Sequence, residues 1–345
     1  MKIPARIILL AAIVAVGALR GHAAAADDFY AGKTISLFLG TTPGGGYDTY
    51  GRLLARYLGR HIPGNPTVVA KNMPGAGGVL VANYIYNQAP RDGTEIGEPQ
   101  NGAVFEKIFR TLSPDGSTAR FDPTGFGWIG SMLQSVFVTV TRKDAPAKTF
   151  EEAQQKETVL GATAASTDNY LLAVLSNRMF GTKFKIVSGY DGSAAVDLAI
   201  EKGEVQGAAG KDWTTITATH PDWIRDKTVN ILVQMGMQPH PDLQGIPFAL
   251  DLARTPEDKD VLALIFAKYG MSRPFLAPPG LPADRLQILR TAFDDTMKDP
   301  KLRAEAKTIN AEIRPVSGAD VETLVKKIMA TPDSLAARAR EVLTP

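Results

Sequence analysis

The residues of this chain best suited to chemistry are glycines. Between an apolar run and an amphipathic one stands Leu39-Gly40-Thr41-Thr42-Pro43-Gly44-Gly45-Gly46-Tyr47-Asp48. Three consecutive glycines leave main-chain amides almost unscreened, and the first amides of a helix that starts there have no internal partner. The macrodipole adds about half a positive charge at that end. Such a turn suits an anion, either phosphate or carboxylate. A phosphate loop needs G-x-x-x-x-G-K-[ST] and a dinucleotide loop G-x-G-x-x-G. Neither pattern is here: the glycines run into Tyr47 and Asp48 with no lysine, and Asp48 would repel a pyrophosphate. A carboxylate needs only a few amides and hydroxyls. The alternative, that the glycines merely permit a tight turn, weakens because the device recurs.

It recurs at Met73-Pro74-Gly75-Ala76-Gly77-Gly78, at Gly161-Ala162-Thr163-Ala164-Ala165-Ser166-Thr167-Asp168, and at Gly189-Tyr190-Asp191-Gly192-Ser193. Ser166, Thr167 and Ser193 also suit helix N-caps. Lys211 follows an apparent strand, Val205 to Ala209. It is either a fixed cation pointing into a cleft or a solvated lysine paired with Asp212. Catalytic patterns are weaker. His61, His220 and His240 stand by prolines, no H-E-x-x-H or helical ligand spacing occurs, and the chain has no cysteine. A metal site, thiol catalysis and a G-x-S-x-G hydrolase are therefore not expected. A hydrolase using Ser166 or Asp48 is the enzymatic alternative; the preferred reading has no catalytic residue, no cofactor and no metal.

The elements that position these turns alternate. Thr34 to Leu39 is a strand, and Tyr50, Leu53, Leu54, Tyr57 and Leu58 mark a helix face. Thr67 to Ala70 is a strand, and Val81, Tyr84 and Ile85 mark a second helix. Val136 to Val140 is a strand that leaves the first sheet. A second block follows, with strand Thr158 to Leu160, a helix from Asp168 to about Phe180, strand Phe184 to Val187, a helix from Ala194 to Lys202, and strand Val229 to Gln234. The tail is helical, with Ser317 as an N-cap. Alternation of this kind gives an α/β fold with mostly parallel sheets. The expected architecture is two lobes, the second inserted into the first. Residues 27–133 and 234–345 form lobe 1 and residues 134–233 form lobe 2. Ligands of open α/β sheets bind beyond the carboxyl ends of the strands.

Lys2 and Arg6, the apolar run Ile7 to Leu19, and Ala23 to Ala26 read as a secretory signal peptide over residues 1–26, cleaved after Ala25 or Ala26. The run is too short to span a membrane. The whole chain carries a formal charge of +2, and removing the leader's three basic residues leaves −1. No basic face is implied, so nucleic acid is a poor partner.

Pro43-Gly44-Gly45-Gly46-Tyr47-Asp48 with Gly51-Arg52-Leu53-Leu54-Ala55 resembles the PGG-x-x-D-x-x-A-R-x-L opening of the periplasmic Bug receptors, the substrate-binding proteins of tripartite tricarboxylate transporters. Asn72 to Gly78 resembles their N-R-P-G-A-G-G segment, Ala89 to Thr94 their A-x-P-D-G-Y-T, Ile186 to Glu204 their V-P-Y-K-G run, and Leu276 to Pro282 their L-A-P-x-G-T-P. The resemblance implies a two-lobed, type II-like periplasmic clamshell, a monomer, that closes on a small mono-, di- or tricarboxylate and hands it to membrane transporter subunits. It implies a grip from Thr41, Thr42, Gly44, Gly45, Gly46, Tyr47 and Asp48, joined by Gly75 and Gln100. Thr163, Ser166, Thr167, Asn169, Tyr190, Gly192, Ser193 and Lys211 would serve the other side. Departures are Thr41-Thr42 before the glycines, Asp191 in place of a lysine, Gly161-Ala162-Thr163-Ala164 in place of G-S-S-G, and Phe248 to Arg254 in place of E-x-G-x-P-G-F. A secreted protein that presents its ligand to a membrane receptor kinase is the alternative to transport.

Overall fold

The computed structural model describes residues 29–109, 118–165 and 167–344. The signal-peptide reading of residues 1–26 and the expected contact of Ser166 lie outside the described residues.

The strands are β1 Thr34–Leu39, β2 Thr67–Asn72, β3 Glu95–Glu98, β4 Gly127–Ser131, β5 Phe137–Arg142, β6 Thr158–Ala162, β7 Phe184–Ser188, β8 Gly207–Asp212, β9 Val229–Met235, β10 Pro274–Ala277 and β11 Val316–Ser317. They form two sheets, ordered β11-β4-β10-β3-β1-β2 and β7-β6-β8-β5-β9. In the first, β1 runs parallel to both β2 and β3, while β10 and β11 return antiparallel to β4. In the second, β6 is parallel to β7 and β8, and β5 lies antiparallel between β8 and β9. The chain of the second sheet thus sits wholly between β4 and β10 of the first. The expected α/β fold with an inserted second sheet is what is found.

The principal helices are α1 Gly46–Leu58, α2 Val79–Asn87, α3 Asp168–Leu175, α4 Ser193–Lys202, α5 Trp213–Thr219, α6 Pro256–Phe266, α7 Ala283–Lys298, α8 Pro300–Thr308, α9 Gly318–Met329 and α10 Asp333–Leu343. α1 buries the apolar stripe read from the sequence, but it starts four residues earlier, so two of the three glycines lead directly into it. Gly51 lets it come down on the sheet: a Cβ there would lie 2.3 Å from Leu39 Cδ2 and 2.4 Å from Glu98 Oε2. α3 ends at Leu175 and passes into one wider turn, Ser176–Phe180, which stops at Gly181 with φ +73°. Ser317 caps α9 through the Asp320 amide, as expected.

β8 corrects one expectation. It does not end at Ala209; it runs on through Lys211 and Asp212, which pair with Val138 and Phe137 of β5. The two crossings between the sheets lie side by side. Met132 and Arg314 amides reach Arg273 and Met132 carbonyls, Ser135 reaches Tyr269, and Ser272 reaches Leu133. The largest apolar cluster includes Trp128, Leu172 and Phe266 and so runs through strands and helices of both sheets. α10 packs on α6 and on α3. Arg178 binds the Glu341 carbonyl, and Arg340 binds the Ile108 carbonyl at 2.7 Å.

Candidate functional site

The first glycine turn is fastened from inside. Asp48 is buried, and its carboxylate accepts from the Gly44 amide at 3.0 Å, from Arg52 Nε at 3.0 Å and from Asn72 Nδ2 at 2.8 Å. Asn72 also donates to the Thr41 carbonyl at 3.0 Å. Burial alone would raise the Asp48 pKa, but the bonds from Arg52, Gly44 and Asn72 outweigh it and hold the pKa at about 2. Asp48 is therefore the anchor of the turn, and the Gly44 amide is already taken. Gly45 is the N-cap and provides no side-chain cap, so the first amides of α1 are left to other partners. Thr42 and Gly44 to Gly46 are exposed.

Arg273 stands over this turn. Its guanidinium lies 4.2 Å from the centre of the Tyr47 ring and 5.1 Å from that of Tyr50, one helical turn apart on α1. A Cβ on Gly46 would come within 3.1 Å of Arg273 Nη2. Glycine at this position thus gives a cation access to the start of the helix. Tyr47 Oη is held by Asn101, from whose amide it accepts at 3.0 Å.

The second side is a cavity of about 240 Å³ bordered by Thr163, Thr167, Asp168, Asn169, Ser193 and Lys211. Asn169 Oδ1 is the hub, accepting from Thr167 Oγ1 at 2.5 Å and from Thr163 Oγ1 at 3.2 Å. Helices that start at Thr149, Asp212, Thr255, Asp299 and Ser317 are closed by that residue's own side chain. Thr167 occupies the same position before α3 yet does not cap it, because its hydroxyl is diverted to Asn169 and to the Ala164 carbonyl. α4 starts from Gly192, with φ +89°, and is likewise uncapped. Ser193 is the first helical residue there and not the cap.

The two sides face each other. Tyr47 feels the charge of Asp168, and Tyr50 that of Asp212. Asn101 Nδ2 holds the Lys268 carbonyl at 2.8 Å, and Lys268 Nζ reaches Asp168 Oδ1 at 2.7 Å. On another edge Glu312 accepts from Thr214 and His240, while its carbonyl accepts from Tyr50 Oη at 2.9 Å.

No family model matches the chain. A curated relative, the UPF0065 protein in gbd 5'region of Cupriavidus necator, is 25% identical over 306 residues, covering 87% of this chain and 85% of the relative. Among solved structures, a ligand-free TctC solute binding protein from Polaromonas superposes with a TM-score of 0.69 at 18% identity, covering 90% of this chain and 99% of that one. The periplasmic binding protein BugD gives 0.59 at 18% identity, over 91% and 98%. MatC from Rhodopseudomonas palustris with bound malate gives 0.57 at 18% identity, over 91% and 99%. The chain has the fold of the TctC and Bug solute-binding proteins. The resemblance read from the motifs is borne out at this level.

Within this TctC/Bug fold the predicted residues fall into three groups. Thr41, Thr42 and Gly44 to Asp48 form one turn, and Thr163, Thr167, Asn169, Ser193 and Lys211 surround one cavity. Gly75, Gln100, Tyr190 and Gly192 do not border that cavity: Gly75 lies beside Leu80, Gln100 donates to the Gly40 carbonyl, and Tyr190 packs on the apolar cluster around Val138 and Trp213. Lys211 is neither solvated nor paired with Asp212. It is 5% exposed and bound to Asp197, whose other oxygen lies 3.3 Å from His220. Asp212 is instead spent on capping α5. Arg273, Lys268 and Asn101 were not among the residues picked from the sequence. The one available signal was Arg273 immediately before the strand Pro274–Ala277.

Proposed function

We propose that this protein is a periplasmic receptor that captures a small organic carboxylate between its two lobes and delivers it to a tripartite tricarboxylate-type membrane transporter. The observation that carries this reading is the uncapped start of α1, α3 and α4, three helix ends bordering opposed surfaces, two of them following a glycine and the third a threonine whose hydroxyl is bonded elsewhere. Helix starts left open in this way suit an anionic ligand. One carboxylate of the ligand lies against the α1 turn. Its far end enters the second cavity, where Asp168 and Asp212 are each already engaged, by Lys268 and by Thr215. The reading has the site bind its ligand and do no chemistry on it. On this reading residues 1–26 are a cleaved leader and the receptor acts as a monomer in the periplasm.

A hydrogen bond to a charged group contributes about 1.5–3 kcal/mol. A micromolar complex needs about 8 kcal/mol net, on top of an association cost of at least about 4 kcal/mol, so about four to eight such bonds are required and one lobe does not supply them. Binding is thus linked to closure. A thermal-shift screen of the mature protein against mono-, di- and tricarboxylates tests the reading, followed by small-angle scattering with the best ligand. A rise in melting temperature and a smaller radius are expected. No response to any carboxylate, or turnover of the ligand seen by mass spectrometry, would reject it.

A further inference from the structure

Glu98 ends β3 under the first-lobe turn. It is 0% exposed, and neither carboxyl oxygen has a hydrogen-bond partner among the described residues. One oxygen occupies the space that a Cβ on Gly51 of α1 would fill. Arg273 Nε is likewise buried with no hydrogen-bond partner, while Arg273 Nη1 is spent on the Ser272 carbonyl at 2.7 Å. The molecule thus holds a carboxyl with both oxygens unpaired and a guanidinium with its Nε unpaired, within electrostatic reach of each other, at the start of α1. A buried polar group left unpaired carries the full cost of its desolvation, so a site that keeps two of opposite type unpaired invites a third partner.

We propose that Arg273 is the fixed cation that receives the ligand's carboxylate, and that Glu98 is its proton-controlled competitor. The assignment rests on the carboxylate-receptor reading above. With Glu98 protonated, Arg273 carries a net positive charge toward the exposed amides of Gly45 and Gly46. When Glu98 loses its proton to solvent it becomes an internal anion for the same guanidinium, and an incoming carboxylate must displace it. Binding therefore takes up one proton, which Glu98 holds in the complex. The charged or titratable groups that face Glu98 are Arg273 before β10 and Asp48 and Tyr47 on α1. Burial pushes the Glu98 carboxyl well above its ordinary range, with Arg273 opposing and Asp48 reinforcing. The ionised Asp48 is itself matched by Arg52. The neutral form of Glu98 thus extends to higher pH than in a free side chain.

The test is calorimetric titration of malate, and of any stronger carboxylate from the screen, between pH 5.5 and 8.5. Wild-type affinity falls with rising pH, by up to about tenfold per unit once Glu98 ionises. Glu98→Gln removes that slope, and Arg273→Gln lowers affinity at least about tenfold at pH 5.5, the equivalent of ~1.4 kcal/mol. Wild-type binding with no pH slope, or Arg273→Gln binding as well as wild type, overturns the assignment and leaves the receptor reading standing. If no carboxylate binds, the receptor reading fails, and the empty protein decides the Glu98–Arg273 relation. The Glu98 ¹³C-carboxyl resonance, identified by its loss in Glu98→Gln, titrates above the free-glutamate range and moves higher still in Arg273→Gln. A normal midpoint, or one unmoved by Arg273→Gln, refutes it.

Discussion

Asp48→Asn probes how the glycine turn is held. The substitution keeps size and one acceptor oxygen but removes the charge that Arg52, Asn72 and the Gly44 amide surround. The native pKa is lowered from 3.8 to about 2. At about 1.36 kcal/mol per unit, that depression corresponds to about 2 kcal/mol of stability above pH 4. The side chain is only 7% exposed, so little of this is lost to screening by water. The sign follows from the depressed pKa. The contribution is complete above the unfolded pKa and is lost as pH falls through the folded one. About half remains at pH 3. Urea unfolding at pH 7, 5 and 3 should show Asp48→Asn less stable by about 2 kcal/mol at pH 7, with the gap to wild type narrowing at pH 3. A variant within about 0.5 kcal/mol of wild type at pH 7 would refute the reasoning, since a surface change has no larger effect. So would a gap that does not depend on pH.

Lys211→Met strands Asp197, 6% exposed and left with His220, and costs about 3–5 kcal/mol. Adding Asp197→Asn should recover more than half of the loss in melting experiments; a single variant that melts like wild type would remove the pair from the account of stability. Gly51→Ala drives a methyl into Leu39 and Glu98 and should cost about 1–3 kcal/mol in denaturant unfolding. Lys268→Met leaves Asp168 uncompensated beside the second cavity and should weaken carboxylate binding about tenfold, or ~1.4 kcal/mol. Lys268→Met with Asp168→Asn should restore it, as followed by calorimetry.

The alternation of strands and helices was legible because each unit carries its own period and turn, as in Thr34 to Leu58. The turns were legible because glycine and hydroxyl residues are local signals. What was not legible is what those turns meet. Arg273 reaches Tyr47 across more than two hundred residues of chain, and no local pattern announces it. Glu98 reads as an ordinary strand end before Pro99, and only the descent of α1 at Gly51 buries it. The end of β8 was misplaced for a similar reason: Gly207-Ala-Ala-Gly210 is poor strand text, and β8 persists because β5 pairs with it as far as Asp212. The diverted hydroxyl of Thr167 was hidden too, since a threonine before a helix reads as a cap wherever it occurs.

The last helix has a bearing on how this molecule moves. α10 is pinned through Arg178 beside α3 and through Arg340 to the segment after β3, so one rod is bolted to both halves. A wide gape would shear one bolt. Under the proposed closure, the pivot runs close to that rod.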